Sequence, residues 1–330
     1  MIIARAPLRI TLGGGGTDIP WFYEQYGGFC ITAAINQYVY VTIHDAFIDD
    51  LILKYSSTER IKDIRDIQHP IFRETLKQFN IPHLGIEITS MADVPAGTGL
   101  GSSSTFTVAL IKALSRQFNR DMGYSRQATA EFAASIEIDH LSEPIGKQDH
   151  YAAAYGGIRI LEFTRAKVDL SHVHVGLIPI SEETMTNLEE KLCLFFTGYS
   201  RSASAILQDQ YTHRTEQELI NNLQTTKEVG YKTYDALLSD NMQSFARLLN
   251  IQYSLKRLRQ EETANDQIDE WYQLGISHGA LGGKLVGAGG GGFLLFYAED
   301  KASLRHAMKN AGLKELKFRF DFDGATTVTT

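Results

Sequence analysis

At 330 residues the chain is too long for one small compact core, so two lobes or one large α/β domain are expected. An apolar fraction of 43% against 22% charged residues excludes a disordered chain. The 32 basic and 39 acidic residues leave a net charge of −7, which lacks the basic footprint that a nucleic-acid partner requires.

Residues 2–12 read as a strand running into a first glycine cluster, Gly13 to Gly16. Arg5 and Arg9 interrupt its apolar run, and no later stretch reaches the ~18 apolar residues of a membrane span, so a cytoplasmic location without a membrane partner is expected. Residues 29–44 read as one or two further strands. Cys30 lies among them and, with Cys193, is read as core packing, since two cysteines make neither a disulfide framework nor a zinc pattern. A short strand at 84–89 precedes a second cluster, Gly97, Gly99 and Gly101. Residues 105–118 then carry Phe106, Ala109, Leu110, Ala113 and Leu114 at the spacing of a buried helix face. Ser125 is a fitting N-cap for a helix to about Leu141, which Pro144 and Gly146 end. Gly156 and Gly157 turn the chain into a strand at 158–163, and 191–197 reads as another buried strand. Polar, helix-forming sequence fills 202–274. Strands at 284–286 and 293–297 flank a third cluster, Gly287 with Gly289 to Gly292. The lobe boundary is placed near Asp169 to Leu177, dividing the chain into 1–172 and 173–330.

The second cluster carries the most chemistry. Pro95-Ala-Gly-Thr-Gly-Leu-Gly-Ser-Ser-Ser104 joins a strand to an apolar helix, so backbone N–H groups and the positive end of the helix face one ligand, and the serines add hydroxyls. That is an anion cradle suited to phosphate. It is not the common P-loop, because no lysine follows the glycines. Gly287, Gly289 and Gly292 match the spacing of a dinucleotide fingerprint, but a strand follows where that fingerprint needs a helix. The third cluster is therefore read as a strand-to-strand turn packing on the phosphate loop.

Carboxylates beside a phosphate site need a cation to bridge or a proton to accept. Glu137 suits the first role and Asp149 the second, although either taken alone could be a solvated surface group. Lys147, two residues before Asp149, is a candidate to neutralise the transferring phosphoryl group.

These residues resemble the GHMP kinase family. Three motifs carry the likeness: Arg5-Ala-Pro-Leu-Arg-Ile-Thr-Leu-Gly-Gly-Gly-Gly-Thr-Asp18, the segment Pro95 to Ser104, and Lys284-Leu-Val-Gly-Ala-Gly-Gly-Gly-Gly292. Within the family, Gly-Gly-Gly-Thr-Asp18 and the segment from Gly146 to Gly157 look most like the heptose 7-phosphate kinases and the related L-fucose kinases. The resemblance implies an α+β fold of two lobes, the N-terminal one like ribosomal protein S5 domain 2 and the C-terminal one ferredoxin-like, with ATP and sugar in the cleft between. It implies that Pro95, Gly97, Gly99, Leu100, Gly101, Ser102, Ser103 and Ser104 bind ATP, and that Ser103 and Glu137 hold Mg2+. Asp149 with Arg9 and Lys147 would be catalytic. Gly15, Gly16, Thr17 and Asp18, with Gly289 and Gly290, would meet the acceptor.

The function so implied is ATP-dependent phosphorylation of the anomeric hydroxyl of a heptose 7-phosphate by a monomer or homodimer. The alternatives are an L-fucose or galactose 1-kinase, a mevalonate-type kinase and an inactive sugar sensor. A phosphorylated acceptor needs a distal anchor. Gly198-Tyr-Ser-Arg-Ser-Ala-Ser204 offers Arg201 and serine hydroxyls for it, and is equally readable as an ordinary serine-capped helix start.

Overall fold

The computed structural model describes residues 1–330 except 82, 83, 120–124, 165–172, 201–214, 260–265, 288, 290 and 330. Two β-sheets organise it. The first runs in the order β12-β1-β2-β5-β3-β4, ending on the short strands β3 (Leu51–Lys54) and β4 (Thr58–Ile61), with β6 beside β2 and β7 beside β6. Its centre is the antiparallel pair β1 (Ile2–Gly13) and β2 (Gly28–Asp45). β2 is long enough to serve two partners: its first residues pair with β6 (Ile158–Phe163) and its last with β5 (Ile86–Ala92). The register of β1 on β2 slips between Pro7 and Leu8, at a residue with no N–H to give the ladder. Beyond the slip comes Arg9, which lines the cavity between the sheets.

The apolar stripe of α3 (Ser102–Gln117) packs on β1 and β2, as its spacing predicted, with Val108, Leu110, Ile111 and Leu114 fully buried. Ser125 does cap the next helix, α4 (Arg126–Ala134), by accepting from the Ala128 N–H. The helix expected to reach Leu141 then widens into a π-turn over Ser135–His140, a distortion that often marks a functional position. Glu137 lies in that turn. α5 (Gln148–Tyr155) follows and ends at Gly156.

The second sheet, β11-β8-β10-β9, is antiparallel throughout and comprises β8 (Leu192–Phe196), β9 (Ala280–Val286), β10 (Phe293–Ala298) and β11 (Lys314–Leu316). Three helices fill the polar stretch before β9: α7 (Glu216–Leu238), α8 (Met242–Arg259) and α9 (Asp266–Ser277), numbered after α6 (Glu182–Lys191). α8 packs on β9, and α7 packs on α8, β1 and β2, which ties the two lobes together. The sheets do not divide at residue 172. β7 (Val173–Leu177) pairs with β6, and β12 (Thr326–Thr329) returns to pair with β1, so both ends of the second half belong to the first sheet.

Candidate active site

A cavity of about 800 Å³ opens between the lobes, and all three glycine clusters reach it. Gly97, Gly99 and Gly101 have φ of 74°, 82° and 81°, a left-handed conformation that residues with a Cβ adopt only under strain. α3 begins one residue after Gly101, so its free N–H groups point into the cavity. The Oγ of Ser102 is buried there with no partner among the described residues, as expected of a donor held for a ligand. The third cluster packs where expected: a Cβ on Gly99 would stand 2.8 Å from the Val286 carbonyl oxygen and 3.0 Å from the Gly287 Cα. The two loops touch backbone to backbone, leaving no room for side chains.

Arg9, on β1 and only 4% exposed, clamps Asp149 in the first turn of α5. Its Nε and Nη2 donate to the two carboxylate oxygens, each at 2.6 Å, and its Nη1 donates to the Gly99 carbonyl at 2.6 Å. One guanidinium thus fixes the carboxylate and the phosphate loop to each other. Asp149 keeps partial exposure to the cavity, and among the described residues two of its four lone-pair positions have no donor.

Asp18 is buried beside it. Its Oδ1 accepts from the Gly16 N–H and the Gln148 amide, and its Oδ2 from the Gln148 N–H. Burial, and then the neighbouring Asp149 charge, raise its pKa above the ordinary carboxyl value. Gly146 makes room for it, since a Cβ there would lie 1.9 Å from Oδ2. Glu137 also lines the cavity, and its Oε1 accepts from Thr107 at 2.9 Å and is 3.0 Å from the His150 Nε2.

Comparison with known proteins decides what this arrangement belongs to. Family models of the GHMP kinases match the chain twice, the N-terminal domain over 67–157 and the C-terminal domain over 233–314. The chain is 31% identical over 309 residues to the D-glycero-alpha-D-manno-heptose 7-phosphate kinase of Campylobacter jejuni, covering 90% of this chain and 89% of that one. This chain is a GHMP kinase. It is 25% identical to the bifunctional fucokinase/GDP-fucose pyrophosphorylase of Arabidopsis thaliana, of which it covers 29%. The crystal structure of a D-glycero-D-manno-heptose 1-phosphate kinase from Bacteroides thetaiotaomicron superimposes with a TM-score of 0.81 at 26% identity, covering 100% of this chain and 99% of that one. The protein is therefore an ATP-dependent phosphotransferase, a sugar kinase by its relatives, on the two-lobed GHMP fold.

Within that GHMP site several expected residues stand elsewhere. Lys147 does not face the cavity: its Nζ donates to Glu131 at 2.8 Å, because residues two apart at a helix start point in opposed directions. Thr17 turns its hydroxyl inward to the Gly14 and Phe29 carbonyls and holds the loop rather than a ligand. Pro95 supplies its carbonyl to the Thr98 hydroxyl, and Leu100 is a core residue, so neither lines the cavity. Gly15, Gly16, Asp18, Gly289 and Ser102 to Ser104 do line it. Arg201 and Gly290 lie outside the described residues.

Three further cations line the cavity: Lys256 and Arg259, which no motif marks, and Lys284, which opens the third motif. The available signal was weak. Gln252, Lys256 and Arg259 fall at i, i+4 and i+7, one face of α8, inside a stretch that reads simply as polar helix.

Proposed function

We propose that this GHMP kinase transfers the γ-phosphoryl group of ATP to the anomeric hydroxyl of D-glycero-D-manno-heptose 7-phosphate, giving the 1,7-bisphosphate. The likeness to the Campylobacter jejuni enzyme along nine-tenths of both chains supports the acceptor. The clamped Asp149 carries the chemistry. The acceptor oxygen attacks the γ-phosphorus in line, its bond to phosphorus forms as the bond to the ADP oxygen breaks, and its proton passes to the Asp149 carboxylate. Arg9 keeps that carboxylate in place, while the N–H groups after Gly101 take up charge on the phosphates. Asp18 orients sugar hydroxyls beside it.

Ser103 and Glu137 fit a hard divalent cation. Both line the cavity, and the two contacts of Glu137 fall on Oε1, leaving Oε2 for a ligand. Magnesium held there would offset the negative charge of the nucleotide phosphates. Among the described residues there is no cluster of three or more His, Cys, Asp or Glu that would make a metal site without the nucleotide.

A second reading, an L-fucose-type 1-kinase, is favoured by the Arabidopsis relative, which matches 89% of this chain. ATP consumption against heptose 7-phosphate, fucose, galactose and mevalonate separates the two. The proposal requires heptose 7-phosphate to give the highest kcat/KM, and faster turnover of free fucose or galactose would overturn it.

A further inference from the structure

Lys256, Arg259 and Lys284 stand on the second-lobe wall of the cavity, and among the described residues no carboxylate pairs with any of them. Every partner is neutral. Lys284, 4% exposed, donates to the Gln252 amide oxygen at 2.6 Å. Lys256 donates to the carbonyls of Leu285 at 2.9 Å and of Gly287. Arg259, 8% exposed, gives its Nη1 to Asn222 and Thr226, and among the described residues its Nη2 has no hydrogen-bond partner. Burial lowers Lys284 to about 7 and holds Lys256 well below its ordinary value, with the neighbouring cations adding to both effects. A fold that buries two unpaired cations, with a third half-buried beside them, bears a cost that an anion would relieve.

The position indicates which anion. Arg259 Nη2 would stand 3.7 Å from a Cβ on Gly16, and Gln252, the partner of Lys284, donates to the Leu12 carbonyl, so both cations border the first motif beside Asp18. Lys256 reaches instead to the glycine turn that touches the phosphate loop. The other charged groups lining the cavity are Arg9 and Asp149, which pair with each other, and the carboxylates Asp18, Glu137 and Glu143.

We propose that Arg259 and Lys284 seat the phosphate that the acceptor already carries, with Lys256 at the border between that phosphate and the one being transferred. The Nη2 of Arg259 offers charge-assisted N–H donors to the phosphate, and Lys284 adds a second charge against the dianion. This inference rests on the acceptor being a sugar phosphate. It also supplies, within the described residues, the anchor that such a substrate needs.

The test uses the full chain and the variants Arg259→Gln and Lys284→Met. With a non-hydrolysable ATP analogue filling the nucleotide site, calorimetric titration of inorganic phosphate should show one saturable site in the wild type and none in either variant. With heptose 7-phosphate as acceptor, each variant should raise the KM at least about tenfold, the scale of a lost charge-assisted hydrogen bond, while the KM for ATP stays within about threefold. The kcat/KM for the heptose lacking its phosphate should be unchanged. A wild type that binds no phosphate overturns the seat, as do variants that raise the KM for ATP or that impair both heptoses equally. Should the wild type prefer unphosphorylated sugars, the acceptor reading fails, and the phosphate titration still decides the seat by itself. Thermal stability guards against misfolding: Lys284→Met should melt no lower than the wild type, since it removes a buried unpaired charge.

Discussion

On the first-lobe wall, Gly97, Gly99 and Gly101 and the start of α3 face the cavity with backbone N–H groups. On the second-lobe wall, the buried side chains of Arg259 and Lys284 and the half-buried Lys256 face it. The backbone wall needs space and left-handed φ. It therefore writes itself into the sequence as clustered glycine. The side-chain wall needs only three cations brought together by packing α8 on β9; Lys256 and Arg259 in a polar helix look like any solvated face, and Lys284 opens the third motif without a sign of its role. The walls also differ when no ligand is bound. Loop N–H groups can be met by water, whereas buried cations stay unpaired.

Asp149, held against the backbone wall by Arg9, is where the largest effect is expected. Asp149→Asn keeps the shape and loses both the charge and the ability to take a proton, so kcat should fall roughly 10²-fold or more with ATP affinity retained. Turnover within about threefold of wild type would remove Asp149 as the base.

The backbone wall itself is tested by Gly99→Val. The new Cβ would meet the Val286 carbonyl oxygen at 2.8 Å at a φ of +82°, so the loop must move. ATP affinity should fall at least about tenfold, since a β-branched residue at positive φ costs on the order of 1–3 kcal/mol before any clash is counted. Native ATP affinity by calorimetry would contradict the phosphate loop. Glu137→Gln should act more mildly and raise the Mg2+ concentration needed for half-maximal rate, because an amide oxygen is a weaker ligand for a hard cation. An unchanged Mg2+ titration removes Glu137 from the metal site.

The side-chain wall should betray itself through pH. Lys284 has an ordinary pKa of 10.5 and a folded value of about 7, so between those values the unfolded chain binds more protons than the folded one. The ligand-free protein should therefore gain stability as pH rises from about 7.5 to 9.5, by up to about 1.4 kcal/mol per pH unit from this residue. Lys284→Met should flatten that rise in thermal melts. An equally steep rise in the variant would mean that Lys284 stays charged in the folded state.

These two walls also mark what could be read without a structure. The strand entering Gly13, the helix after Gly101 and the Ser125 cap follow from local rules of spacing and capping, and each is found within a few residues of its expected place. Arg9 and Asp149 lie 140 residues apart, and no local rule joins them; only the family likeness paired them. The π-turn that carries Glu137 and the return of β12 to the first sheet arise from tertiary packing that overrides local preference. Lys147 is the instructive case, since its charge and its nearness in sequence to Asp149 both point to the site while its side chain turns to Glu131.

The smallest expected effect comes from that residue and sharpens the comparison most. Lys147 stands one residue before α5, and Asp149 is the second residue of the helix, so their side chains diverge although their backbones are adjacent. Its Nζ pairs with Glu131 at a partly exposed position, an interaction worth about 0–1 kcal/mol. What the site uses from Lys147 is its backbone N–H, which donates to the Asp18 carbonyl at 3.2 Å and survives side-chain truncation. Lys147→Ala should accordingly leave kcat and both KM values within about threefold of wild type, far from the effect expected for a cation at the transferring group. A loss approaching that of Asp149→Asn would mean that the side chain swings into the cavity during turnover, placing a cation on the backbone wall after all.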